Sequence, residues 1–283
     1  MRLRHRPGLP LLVVLATTCG ACAGSGAVDP SSPRAILAGA PAKTIAAGSA
    51  HITVKAAVQG QTKGTFAGDG AFAFATEQGR LDLDLGPLGL AGSANTEVLL
   101  DHDVVYLKLG GPLPGLGTKP WVRIDLASLK KGEGDGIEAL RQLRANDPRA
   151  VINELRGVTG DARGLGAETV AGTATTHYRA TVNLAKAAAA SPARVRVDLL
   201  EVARQMGTSK LAVEAWIDAQ GLIRRLRYTI NLADLADAAP AKGTGVGTII
   251  ATLDLTDFGS AVSVAPPPAD QVTDFADLLG SAR

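Results

Sequence analysis

From residue 49 onward, apolar and polar residues alternate along most of the chain. In the segment 51–58, Ile52, Val54 and Ala56 alternate with polar or small neighbours, and in 80–85 leucines alternate with arginine and aspartate. Successive side chains of a strand point to opposite faces of a sheet. The pattern therefore predicts an antiparallel sheet with one apolar face and one face in contact with water.

The alternating segments predict about ten or eleven strands in all. They occupy residues 51–58, 70–86, 95–111, 120–126, 164–184, 210–219, 221–232 and 248–262. Gln78-Gly79 lies between two alternating runs and predicts a hairpin turn there. Helical spacing of apolar residues predicts helices over 35–47, 136–156, 184–206 and 269–280. No regular strand–helix–strand rhythm is present, so we predict an α+β domain rather than a parallel doubly wound sheet.

The first residues have the order of a secretory signal peptide. Three arginines at positions 2, 4 and 6 precede an apolar run over 9–16, and Gly20-Ala21 precede Cys22. The apolar run is shorter than the roughly 20 residues that a transmembrane helix needs. A small pair before a cysteine is typical of a bacterial lipobox, in which that cysteine becomes the acylated N-terminus.

We therefore predict a lipoprotein signal peptide over 1–21, a flexible tether over 22–34 and one domain over 35–283, with Cys22 as the lipid anchor. Two alternatives remain open. The leader could be a plain signal peptide cleaved near Ala23, or Cys19 and Cys22 could form a redox pair, although no partner motif follows them.

Charge and composition exclude one class of function. Without the three leader arginines the chain has 26 basic and 27 acidic side chains, so it lacks the positive field that nucleic-acid binding requires. Aromatic residues make up only 4% of the chain, while alanine and glycine are abundant. Few large side chains are therefore available to fill the core of a domain of this size.

No cluster of residues has the pattern of a catalytic or metal site. His177 has no evident base or nucleophile partner, and Asp101-His102-Asp103 is better explained as a solvated turn. No G-x-S-x-G elbow and no phosphate-binding loop with its lysine occur. We expect no enzyme activity, no metal and no cofactor. Trp121 and Trp216 share the polar phase of their strands and lie either at a rim near a membrane or under a helix.

Three segments, ETVAGTATTHYRATVNL, VEAWIDAQGLIRRLRY and LDLTDFGSAVSVAPP, together with Ser49-Ala50-His51-Ile52, resemble the LppX/LprAFG (LprG-like) lipoprotein family of actinobacteria. The resemblance covers nearly all of the chain after Cys22. It implies a LolA-like fold, in which a curved antiparallel half-barrel has helices over its concave face and encloses an apolar cavity. Members of that family carry acylated lipids or glycolipids across the cell envelope.

The resemblance and the apolar strand phase together define candidate residues for the cavity wall. The candidates are Ile52, Val54, Phe72, Phe74, Leu83, Leu100, Val105, Leu107, Ile124, Val213 and Ile217. Each of them could instead belong to an ordinary closed core, and the abundance of alanine could reflect compositional bias.

Two functions follow from this sequence. The first is a lipoprotein anchored to the outer, extracytoplasmic face of the cell membrane, which binds acylated lipid or glycolipid and transports it with an export partner still to be identified. The alternative is an envelope sensor or scaffold that uses the same fold to bind a protein partner.

Overall fold

A computed structural model describes residues 29–60, 64–84, 96–108, 119–128, 148–231 and 247–277. The predicted leader, Cys19 and Cys22 lie outside the described residues. The described helices are α1 (Pro33–Ala46), α2 (Pro148–Asn153), α3 (Leu184–Ala189) and α4 (Ala193–Gln205), and residues 275–277 are also helical. Short 3-10 turns cover Glu154–Gly157 and Ala269–Gln271. None of the helices in this part of the chain is long and apolar enough to cross a membrane.

The described strands form one sheet of twelve. In the first half of the chain they are β1 (Ser49–Gln59), β2 (Gly64–Ala73), β3 (Gln78–Asp84), β4 (Thr96–Asp101), β5 (Val104–Lys108) and β6 (Trp121–Asp125). In the second half they are β7 (Arg163–Val170), β8 (Thr173–Asn183), β9 (Lys210–Asp218), β10 (Ile223–Asn231), β11 (Thr248–Thr256) and β12 (Val272–Asp274).

The sheet consists of two antiparallel meanders joined edge to edge. Strands β1 to β6 are neighbours in chain order, and so are β7 to β11. The two meanders meet where β1 pairs with β11, with Ile52 opposite Leu255. The predicted fold class is confirmed, because the protein is an α+β chain with a large, open, curved and mostly antiparallel sheet. The sheet has slightly more strands than the ten or eleven predicted.

The additional strand lies where a C-terminal helix was predicted over 269–280. That prediction is wrong for residues 272–274, whereas 275–277 are helical as predicted and 278–280 lie outside the described residues. Strand β12 pairs in parallel with β6, with Val272 opposite Trp121. The Lys119 ammonium donates to the Val272 carbonyl at 2.9 Å, and Arg123 donates to Asp274 at 2.7 Å. The open edge of β6 therefore provides backbone and side-chain partners that outweigh the helical spacing of the apolar residues.

The hairpin between β2 and β3 also differs from the prediction. Gln78 and Gly79 already belong to β3, and the turn is formed by the four residues before them. Glu77 supplies the positive φ of 54° that closes the turn. Gly79 is needed for a different reason, because a Cβ there would lie 2.6 Å from the Phe72 ring.

The two faces of the sheet differ in chemistry, and we call them the inner and the outer face. The inner face carries Ile52, Leu226 and Leu255, which are buried below the helices, whereas the outer face carries most of the charged strand residues. Gly70 allows the backbones of β2 and β3 to approach each other closely. A Cβ at Gly70 would lie 1.9 Å from the Arg80 carbonyl oxygen, so only glycine permits this close approach.

Candidate functional site

Helices cover one part of the inner face and form a closed core there. Helix α1 buries Leu37 and Ala40, the segment 148–158 buries Ile152 and Leu155, and helix α4 buries Leu199. These side chains pack with inner-face residues of β1, β2 and β8 to β11 in one apolar cluster. Burial of this much apolar surface is the main stabilising contribution to this half of the protein.

Two arginines hold the helical cover against the turns of the sheet. Arg149 of α2 and Arg194 of α4 both form ion pairs with Glu77 in the β2–β3 turn, and Arg194 also pairs with Asp103 in the β4–β5 turn. The hydrogen bond from Arg149 is the main reason why the pKa of Glu77 lies below its usual range. The cover is thereby held at one end of the strands.

Between this closed core and a smaller buried cluster on β5 and β6, the inner face is apolar and only half-buried. We call this surface the trough, and its residues share the inner-face phase of their strands and partial exposure to solvent in the described structure. They are Val54, Val58, Phe66, Leu81, Leu83, Val98, Leu100, Leu107, Ile230, Ile249 and Ala251. The trough therefore offers a continuous apolar surface across β1 to β5, β10 and β11.

The structure places the predicted cavity residues in three environments. Ile52, Phe72, Phe74, Val213 and Ile217 belong to the closed core below the helices. Val105 and Ile124 are buried in a second, smaller cluster with Val122 and Leu126. Val54, Leu83, Leu100 and Leu107 belong to the trough. Contact of any of these residues with a ligand stays a prediction, and the trough residues are the ones with surface still available for it.

A buried carboxyl group lies between the closed core and the trough, and no pattern in the sequence predicts it. Glu154, in the 3-10 turn after α2, is only 6% exposed and hydrogen-bonds the hydroxyl group of Tyr228 on β10. Burial raises the pKa of Glu154 to about 7, and the hydrogen bond from Tyr228 offsets part of that rise. Oε2 of Glu154 is buried and has no hydrogen-bond partner.

On the outer face, His177 belongs to a structural layer. Its ring stacks on Trp216 with the centroids 4.0 Å apart. Glu168 of β7 binds both rings, since its carboxylate oxygens lie 2.8 Å from His177 Nδ1 and 2.7 Å from Trp216 Nε1. The hydrogen bond from Trp216 is the largest cause of the lowered pKa of Glu168, followed by that from His177. Arg227 covers the Trp216 ring at 5.1 Å.

This layer contradicts both interpretations of Trp216, which lies neither at an exposed rim nor under a helix. The side chain is 2% exposed and is covered by charged outer-face residues rather than by a helix or a solvent-facing rim. Trp121 is also buried, with the Lys108 ammonium 5.5 Å from its ring centroid. Among the residues that the structure describes, no group of three or more His, Cys, Asp or Glu side chains is placed to hold a metal ion.

Two concave regions lie mainly among outer-face side chains, and their walls combine charged side chains with apolar surface. One has a volume of about 560 Å³ and is lined by charged residues of the outer face together with Leu83 of the trough; its lining residues are Thr53, Ala67, Gly68, Asp69, Asp82, Leu83, Asp84, Thr96, Glu97 and Lys108. The other, of about 360 Å³, lies between Arg80, Glu97 and the segment 263–268. Carboxylates close to an acyl chain would lose hydration without a compensating partner, so neither region matches the predicted apolar cavity as well as the trough does.

The strand order and the one-sided helical cover define the protein as an open, curved sheet with an apolar inner face. No protein-family model matches the chain. It is 27% identical over 195 residues to an uncharacterized 31.2 kDa protein of Streptomyces griseus and 25% identical over 194 residues to a Streptomyces coelicolor protein classed as a lipoprotein. These alignments cover 66% and 67% of this chain but only 59% and 55% of the relatives.

Solved structures of the lipoprotein group named from the sequence are among its structural neighbours. The Mycobacterium tuberculosis lipoprotein LppX gives a TM-score of 0.44 at 16% identity, covering 81% of this chain and 98% of LppX. LprF from Mycobacterium bovis gives a TM-score of 0.45 at 17% identity, covering 83% of this chain and 96% of LprF.

Proposed function

We propose that this protein is a membrane-anchored lipoprotein that binds the acyl chains of a lipid or glycolipid in the trough and carries it between sites in the cell envelope. The observation that carries the proposal is the half-buried apolar surface of the trough, next to a closed core that the helices complete. Burial of each methylene group of an acyl chain contributes about 0.8 kcal/mol. A long chain could therefore bind tightly without any dedicated polar group, in a binding rather than a catalytic role.

The lipid-binding part of the proposal is tested by placing a charge in the trough. We expect Leu83→Glu to weaken the binding of a fluorescent long-chain fatty acyl probe about tenfold or more, because the carboxylate must lose its hydration against the chain. Thr65→Glu is the matched control, since Thr65 is exposed on the outer face of neighbouring β2 and the charge change is the same.

Native mass spectrometry of protein purified from its own membrane provides an independent measurement. We expect the wild-type protein to co-purify with acylated lipid and the Leu83→Glu variant to carry much less. Equal probe affinity of Leu83→Glu and wild type would contradict the trough as the binding site. Wild-type protein that neither binds the probe nor carries lipid would favour the alternative role in binding a protein partner.

The anchor is tested separately at the two cysteines. We infer that Cys22 is acylated and holds the protein at the outer face of the membrane. Cys22→Ala should release the protein into the soluble fraction, whereas Cys19→Ala, the control three residues away, should leave it in the membrane fraction. Retention of Cys22→Ala in carbonate-washed membranes would contradict the anchor, and intact-mass measurement of the Cys19→Ala protein reports the acyl groups directly.

A further inference from the structure

The unpaired oxygen of Glu154 needs an explanation that the fold does not supply. A buried polar atom without a hydrogen-bond partner destabilises the folded state, and nearly all such atoms in folded proteins find a partner. Oε2 of Glu154 has none in the described structure, although the carboxyl group is bonded to Tyr228. An apolar residue of similar size would avoid this cost.

The position of the pair connects it to the trough. Tyr228 lies on the inner face of β10, directly opposite Ala251 of β11, and Ile230 is the next inner-face residue along β10. Ala251 and Ile230 are both half-buried members of the trough, whereas Leu226 on the other side of Tyr228 is fully buried. The Glu154–Tyr228 pair therefore lies at the border where the closed core ends and the trough begins.

The chemistry of the pair selects the group that would bind there. Above about pH 7 the carboxyl group of Glu154 is ionised and its unpaired oxygen can only accept a hydrogen bond, so the partner must be a donor. An ammonium group would lose its own hydration at great cost in this apolar environment, whereas a neutral hydroxyl loses much less. The hydroxyl of Tyr228 also lies 3.4 Å from the Val151 carbonyl oxygen, which fixes the orientation of its ring end next to the carboxyl group.

We propose that Glu154, positioned by Tyr228, binds a free hydroxyl group of the guest lipid at the inner end of the trough. This inference rests on the proposed lipid-binding function and specifies the ligand class as acyl glycerols or acylated sugars that retain an unesterified hydroxyl group. The acyl chains lie along the trough, and the hydroxyl donates to Glu154 Oε2. The subsite thus selects among lipids that have equal apolar surface.

The experiment compares two lipids that differ only in the donor. Dioleoylglycerol has one free hydroxyl group, and its O-methyl ether has the same acyl chains without the donor. At about pH 8.5, where Glu154 is ionised, we expect the wild-type protein to bind dioleoylglycerol about tenfold more tightly than the ether in competition with a fluorescent acyl probe, because only the free hydroxyl group donates to the buried carboxylate.

Two variants of Glu154 assign the preference to this residue. Glu154→Leu removes the acceptor but keeps an apolar side chain of similar size, so we expect the affinity ratio of the two lipids to fall to about one. Glu154→Gln keeps an acceptor oxygen, and we expect it to retain most of the preference. Circular dichroism and urea unfolding of both variants establish that they fold.

The outcomes separate this proposal from the function on which it rests. Binding of both lipids with a ratio near one in wild type, or an unchanged ratio in Glu154→Leu, would overturn the hydroxyl subsite and leave lipid binding in place. A Glu154→Leu variant that folds but loses both lipids equally would assign Glu154 to the shape of the trough and would also overturn the subsite. Failure of wild type to bind either lipid or the probe would overturn the proposed function itself.

Discussion

The apolar residues in the two halves of the inner face share the same strand phase but differ in how deeply they are buried. Under the helices, Ile52, Leu226 and Leu255 are almost completely buried, whereas Val54, Leu83 and Leu107 at the same inner-face phase are only half-buried. The residues in both halves are aliphatic and lie on the same face of the sheet. The difference in their burial therefore comes from the helices of the described chain and not from the sheet. Stability is therefore concentrated in one half, and surface available for an apolar guest in the other.

The largest expected effect compares one leucine from each half. Leu255→Ala should lower the free energy of unfolding by about 3 kcal/mol, because it leaves a cavity in a fully packed core. Leu83→Ala should lower the free energy of unfolding by less than about 1 kcal/mol, because this side chain is partly exposed and its truncation leaves no closed cavity. Urea unfolding of the two variants at equal pH measures both values.

Equal losses in these two variants would show that the trough is packed as tightly as the core, and the contrast between the halves would then be wrong. A matched check uses added acyl lipid. We expect it to raise the midpoint of unfolding of wild type and of Leu255→Ala by similar amounts, because the stabilisation by a ligand of the folded state depends on its concentration relative to Kd, and this substitution lies outside the trough.

A smaller effect is expected from the carboxyl group at the border of the two halves. The folded-state pKa of Glu154 is about 7, above its ordinary value of 4.5, because burial disfavours the charged form. The unfolded chain therefore releases this proton first, and stability is lost as the pH rises from about 4.5 to 7. The full penalty, about 3 kcal/mol, applies above that range.

Glu154→Gln removes this titration and gives the prediction its measurement. Between about pH 5 and pH 8, the variant should gain about 2 kcal/mol of unfolding free energy relative to wild type in urea titrations. Glu168 on the outer face is the control with the opposite pH dependence. Trp216 and His177 lower its pKa, so its contribution to the free energy of unfolding is lost as the pH falls. A difference between Glu154→Gln and wild type that does not change with pH would contradict the raised pKa.

The sequence was sufficient to predict the sheet because alternation depends only on local chain geometry. His51, Thr53 and Lys55 alternate with Ile52 and Val54, and the structure places them on opposite faces as predicted. The same pattern could not separate the closed core from the trough. Ile52 and Val54 have the same strand phase and are both aliphatic. Only the position of the helices distinguishes them, and that position is set by long-range packing.

The features that the sequence analysis missed depend on partners that are distant in the chain. Glu154 lies between Ile152 and Leu155 in a segment with helical spacing, where a single acidic residue predicts a solvent-facing position. Its burial depends on Tyr228, about 70 residues later. Strand β12 likewise depends on the open edge of β6, which outweighs the local preference of residues 272–274 for a helix.

The pairing of β1 with β11 has a consequence for how the protein folds. His51 and Thr256 are neighbours in space although about 200 residues separate them, so this contact carries a high entropic cost of chain closure. The first meander can form early from short hairpins, but its β1 edge stays unpaired until the last long strand is available. A chain truncated before β11 would therefore expose the unpaired backbone hydrogen-bonding groups of β1. We expect such fragments to aggregate through this strand edge.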